Sequence, residues 1–477
     1  MYDILLISPM PVPGQEPVID AYDPADYVNV STALAYLGAP VRNENFSIKI
    51  FDSTLELFPK YKWKYLTERL SKIESKIYGI NVHATCVYPQ SLRIAGFLKK
   101  KFPESIIILG GLPITYLYNY AFRDSKNIDI IVLGEGEETI IELMNSIIYN
   151  KLPLKSIPGI IFRNGKRLLK TKNRPLIYPL DKILPPAWDL FDISKIKKLC
   201  KAGLGLSASR GCVGNCAFCS DKNFWQNRIR YHSPDRFISD IKRILALGIN
   251  KFQLTDDNFA LNRSFVINVC KKIISEGLKI EWFANCRADC IDEEMISLMK
   301  NAGCNRILIG IESGCNKILS GVNKKENTRI IQKSINILRK YGVESIGTCI
   351  VGLPGENYET FSETIQFVSS LKLSSLCFYP FIPFPGCDIW NNPRKYGIEI
   401  KNYKFEEYIE PYVIISTKEL SSEQIKTLLF FARHYALRVS TKLNSYADES
   451  KILNIKDKYF LDKRKKNKNG GSFIGKN

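Results

Sequence analysis

The chain has 477 residues, 45% hydrophobic and 24% charged, with 68 Lys and Arg against 48 Asp and Glu for a formal net charge of +20. At about 150 residues per domain this length suits roughly three domains with sizeable cores, and the ordinary composition excludes a disordered chain. No apolar run approaches the ~20 residues that a membrane-spanning helix needs. Met1-Tyr-Asp-Ile-Leu-Leu-Ile opens the chain as a strand, not as a charged segment ahead of an apolar one. The 13 Cys are therefore expected as reduced thiols of a cytoplasmic protein, not as a disulfide framework. Lys is spread along the chain, and the one dense basic run, Lys463-Arg464-Lys465-Lys466-Asn467-Lys468, lies in a tail that reads as a solvated end. Nucleic acid is not an expected partner.

Short apolar runs alternate with helical patterns through residues 1–149, the first expected domain. Strands are expected at 4–8, 47–52, 77–82, 106–109 and 128–133, all rich in Ile, Leu or Val, as parallel strands buried on both faces are. Helical spacing falls over 30–37, 65–74, 91–102 and 137–149. This alternation specifies βαβ units in a doubly wound, Rossmann-like sheet, whose ligands bind beyond the carboxyl ends of its strands. Those ends are Ser8-Pro9-Met10-Pro11, His83-Ala84-Thr85, Gly110-Gly111-Leu112-Pro113 and Gly134-Glu135-Gly136-Glu137. Small residues there let a planar ligand approach the backbone. No Gly-x-Gly-x-x-Gly follows the first strand, so the dinucleotide fingerprint is absent.

Residues 150–203 are expected to connect two domains. The runs 159–163 and 166–170 around Asn164-Gly165 spell a hairpin with a type I′ turn. Pro175, Pro179, Pro185 and Pro186 then punctuate an extended strap that packs on both domains, since a free tether would be richer in Gly and Ser.

The alternation resumes over 204–389, with strands at 204–209, 251–255, 280–284, 306–311, 345–351 and 375–379. Helices at 234–247, 262–277, 292–302, 325–341 and 357–371 separate them. Six βα repeats fit a partial TIM-type barrel, whose active residues gather at the strand carboxyl ends. The first strand runs into Ser209-Arg-Gly-Cys-Val-Gly-Asn-Cys-Ala-Phe-Cys-Ser220. Cys212, Cys216 and Cys219 are spaced to wrap one loop around an iron–sulfur cubane, leaving one iron without a protein ligand. Zinc is the alternative, but it takes four ligands, and no nearby Cys or His supplies a fourth. Cys86, Cys200, Cys270, Cys286, Cys290, Cys304, Cys315, Cys349 and Cys377 mostly sit among apolar neighbours and are expected as small core residues. Residues 390–445 form a small helical region with an apolar stripe (Leu428, Phe431, Ala432) over 421–437. The polar, basic tail 446–477 is expected to be disordered.

The Cys motif, with Arg210-Gly211 before it and Phe218 before its last Cys, resembles the signature of the radical SAM superfamily. The Gly-Gly-x-Pro and Gly-Glu-Gly-Glu turns upstream resemble those of the cobalamin-binding domain that precedes many radical SAM barrels, and the likeness spans roughly residues 1–390. It implies a [4Fe–4S] cluster on Cys212, Cys216 and Cys219, with S-adenosylmethionine (SAM) chelating the open iron. It also implies a cobalamin whose corrin face rests on Ser8, Pro9, Thr85, Gly110, Gly111, Gly134, Glu135 and Gly136. For SAM it implies contacts from the strand ends at Asp257, Arg287, Glu312, Ser313, Gly352 and Gly355. A zwitterionic methionine moiety needs a carboxylate for its ammonium and a cation or amide for its carboxylate. An ion pair ordering the barrel mouth is the structural alternative for Asp256, Asp257 and Arg287. The Asp-x-His-x-x-Gly motif that supplies a lower axial His to cobalt is absent. His83 follows a strand, where a lone His is more often a hydrogen-bonded structural residue.

The activity implied is methylation of an unactivated carbon through a 5′-deoxyadenosyl radical and methylcobalamin. A small molecule or peptide would be the substrate, and a flavodoxin or ferredoxin the electron donor. Cyclisation or ring rearrangement without net methyl transfer is the alternative within the class. A non-catalytic corrinoid sensor is the alternative outside it, and the intact cysteine set argues against that.

Overall fold

The computed structural model describes residues 1–10, 29–58 and 61–439. Strands β1 (Tyr2–Ser8), β2 (Ile48–Asp52), β3 (Ser75–Asn81), β4 (Ile106–Gly110), β5 (Ile130–Val132), β6 (Ile160–Asn164) and β7 (Arg167–Lys170) form one sheet in the order β2-β1-β3-β4-β5-β6-β7. Strands β1 to β5 pair in parallel. Helices cover both faces of such a sheet, which is why Ile4, Leu5, Leu6 and Ile7 form one unbroken buried run instead of alternating. The expected doubly wound domain is present.

Three features differ from expectation. The hairpin β6–β7 does not stand in a connector; it adds two antiparallel strands to the edge of this sheet. Its turn is Gly165-Lys166, between the paired Asn164 and Arg167, and of these only Gly165 has a positive φ, +61°. A type I′ turn needs φ > 0 at both central residues, so the turn is of another type. The first helix spans Thr32–Asn43 and runs through Pro40. Gly38-Ala39-Pro40 reads as a stop, but burial of Leu34, Ala35, Gly38, Ala39 and Val41 along one face overrides that local signal. A helix at Leu112–Asp124, with Pro113 in its first turn, follows β4 where the sequence suggested only a strand end.

The second sheet contains β8 (Leu204–Leu206), and a two-strand ribbon of β9 (Ser209–Arg210) and β10 (Arg230–Tyr231) stands just after it. The remaining strands are β11 (Lys251–Leu254), β12 (Glu281–Cys286), β13 (Cys304–Glu312), β14 (Glu344–Val351) and β15 (Ser375–Pro380). The order β15-β14-β13-β12-β11-β8 is parallel throughout, with no pairing between β8 and β15. This is the expected open six-stranded barrel, and its helices Pro234–Ala246, Arg263–Ser275, Glu293–Asn301, Thr328–Lys340 and Tyr358–Ser370 fall where periodicity put them. In the ribbon, Arg210 lies opposite Arg230, closing the neck of a loop that holds all three motif cysteines.

Beyond the barrel, β16 (Ile398–Ile400) and β17 (Ile415–Thr417) pair antiparallel, and the helix Ser422–Val439 packs on β15. Phe405 sits edge-on between Tyr88 and Tyr120, with centroids 5.2 and 5.3 Å away, tying this region back to the first domain. The tail expected at 446–477 lies outside the described residues. Among the described residues no helix is long and apolar enough to cross a membrane, and every cysteine is free.

The Pro-rich strap packs on both domains. Its Ile177, Leu180 and Ile183 form a small apolar cluster with Tyr36 of the first helix. Its Asp181 accepts from His232 Nδ1 and Ser233 N, both at 2.9 Å, at the barrel's edge. Burial pulls the His232 imidazole from 6.5 down to about 4, against the pull of Asp181. The unfolded chain therefore binds this proton near 6.5 and the fold only near 4, so stability is lost as pH falls through that window. Between pH 7 and 4.5 the wild type is expected to lose about 2–3 kcal/mol more than His232→Gln, read from urea midpoints. Parallel pH slopes for the two proteins would refute the assignment.

Candidate functional site

A cavity of about 370 Å³ lies between the two domains. From the first domain, the carboxyl ends of β3, β4 and β5 supply Asn81, His83, Gly110, Gly111, Gly134 and Gly136. The first helix supplies Thr32, Tyr36 and Leu37, while Ser207, Arg210, Trp225 and Asp257 come from the barrel. The wall at β4 is bare backbone because Gly111 has φ +118° and a Cβ there would lie 2.4 Å from Val82 O. A Cβ on Gly134 would meet nothing within 4 Å, so that turn also presents backbone to open space. A flat macrocycle can rest on such a floor, and the predominantly apolar walls with few polar groups suit a cofactor site. Gly111→Ala is expected to cost about 1–3 kcal/mol of stability and to weaken hydroxocobalamin binding in an equilibrium titration. Unchanged affinity would show that the corrin does not lie on this floor.

The three-cysteine loop begins at the other side of Arg210. Cys212 Sγ accepts from Gly214 N at 3.3 Å. A Cβ built on Gly214 would lie 3.2 Å from Cys212 Sγ, 4.0 Å from Cys216 Sγ and 3.6 Å from Arg287 Nη1. Cys212, Cys216 and Arg287 thus border the same small space beside Gly214, which a larger residue there would narrow. Cys219 Sγ lies 3.3 Å from Asp221 Oδ2. Burial pushes all three thiols up, and Asp221 adds to this at Cys219. Arg287 works the other way at Cys212, and Lys324 and Arg287 do so at Cys216. A bound metal deprotonates coordinating thiols outright, so three partly buried thiols in one loop, Cys216 beside Lys324 and Arg287 and Cys212 beside Arg287, fit a cluster whose ligands are thiolates. Among the described residues no three or more His, Cys, Asp or Glu side chains converge to hold a single metal ion.

Later parts of the chain brace one side of this loop. Ala217 N donates to Val322 O (2.9 Å) and Ala217 O accepts from Ile389 N (3.1 Å). Asn223 Nδ2 donates to Gly386 O at 2.6 Å, and Lys222 pairs with Asp388 at 3.4 Å. Gly386 in turn faces the ring of Tyr116 from the first domain so closely that a Cβ would lie 2.4 Å from it.

The residues expected at SAM divide into two groups. Arg287 and Glu312 come together beside the loop. Arg287 Nη1 lies 3.9 Å from Cys216 Sγ, while its Nε and Nη2 donate to Asp289 at 3.0 and 2.8 Å. Glu312 stands at a bulge in β13 with φ +62° and accepts from Lys324 Nζ at 3.3 Å. Lys324 also pairs with Glu326 at 3.2 Å. Gly310 makes room for this pair, since a Cβ there would lie 2.3 Å from Glu312 Oε1. The second group is engaged elsewhere. Ser313 Oγ is 3.1 Å from Thr364 Oγ1 and accepts from Cys315 N. A Cβ on Gly352 would meet Ile425 of the last helix at 3.1 Å, and one on Gly355 would meet Ile318 at 3.7 Å. Asp257 lines the inter-domain cavity, its carboxyl pushed up by burial and then by Asp221 and Asp256.

Among the expected corrin contacts, Gly110, Gly111, Gly134, Glu135 and Gly136 line the cavity, whereas Ser8, Pro9 and Thr85 are buried outside its lining. Asp256 is structural through hydrogen bonds and not through the expected ion pair, accepting from Ala208 N (3.0 Å) and Ser209 Oγ (2.5 Å) to hold the end of β8. Tyr36, Trp225, Lys324, Glu326 and Arg230 also border the cavity or the loop. None falls in a motif; the aromatic pair Phe224-Trp225 just past the last motif cysteine was the only local signal.

A model of the radical SAM superfamily matches residues 206–368, and one of the B12 binding domain matches residues 24–144. An uncharacterized methyltransferase of Pyrococcus horikoshii is 29% identical over 398 residues, covering 83% of this chain and 85% of the relative. The anaerobic magnesium-protoporphyrin IX monomethyl ester cyclase of Synechocystis is 30% identical over 271 residues, 56% of this chain and 54% of the cyclase. Among solved structures, the radical SAM methyltransferase TsrM of Kitasatospora setae, with cobalamin and a [4Fe–4S] cluster bound, superposes with a TM-score of 0.72. That match has 16% identity and covers 92% of this chain and 89% of TsrM; at this identity it bears on the fold. The chain is a radical SAM superfamily enzyme that carries a B12 binding domain ahead of its barrel. The cofactors of this class are a [4Fe–4S] cluster, SAM and cobalamin, and the cysteine loop and the glycine-floored cavity fit the cluster and the corrin.

Proposed function

We propose that the chain is a cobalamin-dependent C-methyltransferase. The observation that carries this reading is the shared cavity wall: Gly134-Glu135-Gly136 from the B12 domain and Arg210, two residues before the first cluster cysteine, border one space. A corrin on this floor would thus lie beside the neck of the cysteine loop. When bound, the reduced cluster with SAM supplies a carbon-centred radical for hydrogen abstraction, and cobalamin supplies the methyl carrier.

The chain's own residues do the rest. Cys212, Cys216 and Cys219 would hold the cluster through their thiolates. Glu312 is a carboxylate for the SAM ammonium, and Arg287 is a cation for its carboxylate. Val322, Gly386 and Ile389 brace one side of the loop through hydrogen bonds made by their backbone groups. A low-potential donor such as flavodoxin or ferredoxin would supply the electron, and the substrate would be a small molecule or peptide.

Similarity to an anaerobic cyclase over 56% of the chain supports a second reading, ring closure without net methyl transfer. Anaerobic protein with dithionite, hydroxocobalamin, methyl-deuterated SAM and a metabolite extract separates the two. Methyl transfer places label in a product and yields S-adenosylhomocysteine and 5′-deoxyadenosine in equal amounts. Cyclisation yields 5′-deoxyadenosine without S-adenosylhomocysteine, and an unlabelled product would reject methyl transfer.

A further inference from the structure

The neck of the cysteine loop contains a like-charge pair. Arg210 and Arg230 are directly opposite partners in the β9–β10 ribbon, an arrangement that by itself destabilises a strand pair. Both are largely buried, Arg230 with 6% of its surface exposed. The charges that balance them come from the other domain. Arg210 Nη1 donates to Glu135 Oε1 at 2.9 Å and its Nη2 to Glu137 Oε1 at 2.6 Å. Arg230 donates from Nη1 to Glu135 Oε2 at 2.8 Å and from Nη2 to Glu135 Oε1 at 3.0 Å. Ile177 N of the strap also donates to Glu135, at 2.8 Å. The carboxylate of Glu135 is therefore saturated by protein donors and is not free for a ligand. Burial opposes its ionisation, but Arg230 and Arg210 outweigh this and hold it below the usual range. Arg210 lies over the Tyr36 ring at 5.3 Å and Arg230 over the Trp225 ring at 5.5 Å, and Tyr36 and Trp225 both line the corrin cavity.

Buried ion pairs are poor sources of net stability, because desolvation offsets much of the attraction; their best-attested use is to fix register. Here two carboxylates from the turn that floors the cavity meet two guanidinia at the neck of the cysteine loop. Cys212 follows Arg210 by two residues, so a displacement of the turn reaches the cluster ligands through one side chain.

We propose that Glu135, seconded by Glu137, is a positioning residue that locks the corrin-bearing turn to the neck of the cluster loop and so fixes the spacing of the two cofactors. The inference rests on the two-cofactor reading above. It predicts that Glu135 acts on geometry, not on the presence of either cofactor.

The test uses anaerobically reconstituted full-length protein loaded with hydroxocobalamin and reduced until cob(II)alamin and [4Fe–4S]⁺ are both paramagnetic. Their mutual relaxation enhancement, read by pulsed EPR, reports the spacing. Glu135→Gln is expected to keep wild-type iron content, broaden that interaction and weaken hydroxocobalamin binding by about 10-fold, as loss of an outer-shell partner does. Wild-type relaxation and affinity in Glu135→Gln would overturn the proposal. If that variant does not fold, Glu135→Gln/Arg230→Gln removes one charge of each sign and carries the same measurement. There too, an altered spacing supports the proposal and a wild-type one overturns it. Wild-type protein that binds no corrinoid or no cluster would instead refute the functional reading itself.

Discussion

Changing any one of Cys212, Cys216 or Cys219 to Ala is expected to abolish SAM cleavage. Loss of a partner to a metal ligand commonly lowers affinity or activity by about 10–100-fold, so loss of a ligand itself should exceed roughly 100-fold. Iron per chain should drop from about four toward background, with the 5′-deoxyadenosine assay falling in step. Hydroxocobalamin should still bind, because the cavity floor belongs to the other domain. A Cys212→Ala protein that keeps full iron and full cleavage would remove the basis of the assignment, and zinc in the wild-type site would do the same. Cys86, Cys270, Cys304 and Cys349, which are buried among apolar side chains, should tolerate Ala with only a packing cost.

Lys324→Met is the second large effect, and it falls on stability. The Lys324 ammonium is buried between Glu312 at 3.3 Å and Glu326 at 3.2 Å. Met fills a similar volume and removes the charge, leaving the buried Glu312 without its cation and Glu326 with only Arg287, 3.5 Å away. Breaking a buried pair in this way costs about 3–5 kcal/mol. The loss should shrink on acidification, because burial already pushes the Glu326 carboxyl up and removing Lys324 pushes it further, so the fold takes up that proton more readily than the unfolded chain. Native protein then binds the extra proton, and stability relative to wild type rises as pH falls. Urea denaturation at pH 7 and pH 5 measures both effects. A loss below about 1 kcal/mol would mean that the pair is solvated.

The barrel was legible because its strands are short apolar runs between strongly amphipathic helices, and parallel order follows from that alternation. The cysteine loop was legible because all its ligands lie within one sequence-local motif. Long-range pairing was not. Glu135 reads as a turn residue beneath a ligand, yet its partners Arg210 and Arg230 lie 75 and 95 positions away. Glu312 and Ser313 are adjacent, and the bulge in β13 sends the first to Lys324 while Thr364 secures the second. No periodicity encodes that choice, because it depends on which side of the bulge each residue leaves the strand. The helix Thr32–Asn43 was cut short for a similar reason: a local stop signal at Pro40 yields to packing that the sequence pattern does not display.

The bracing of the cysteine loop has a consequence for how the protein is made. Ala217 and Asn223 hydrogen-bond to Ile389 and Gly386, so part of the loop's support is translated long after the loop itself. During synthesis the three thiols emerge from the ribosome before residues 384–391 exist to brace the loop, and domains fold in the order in which they emerge. The loop's backbone partners at Gly386 and Ile389 are thus in place only once the last strand of the barrel has been synthesised.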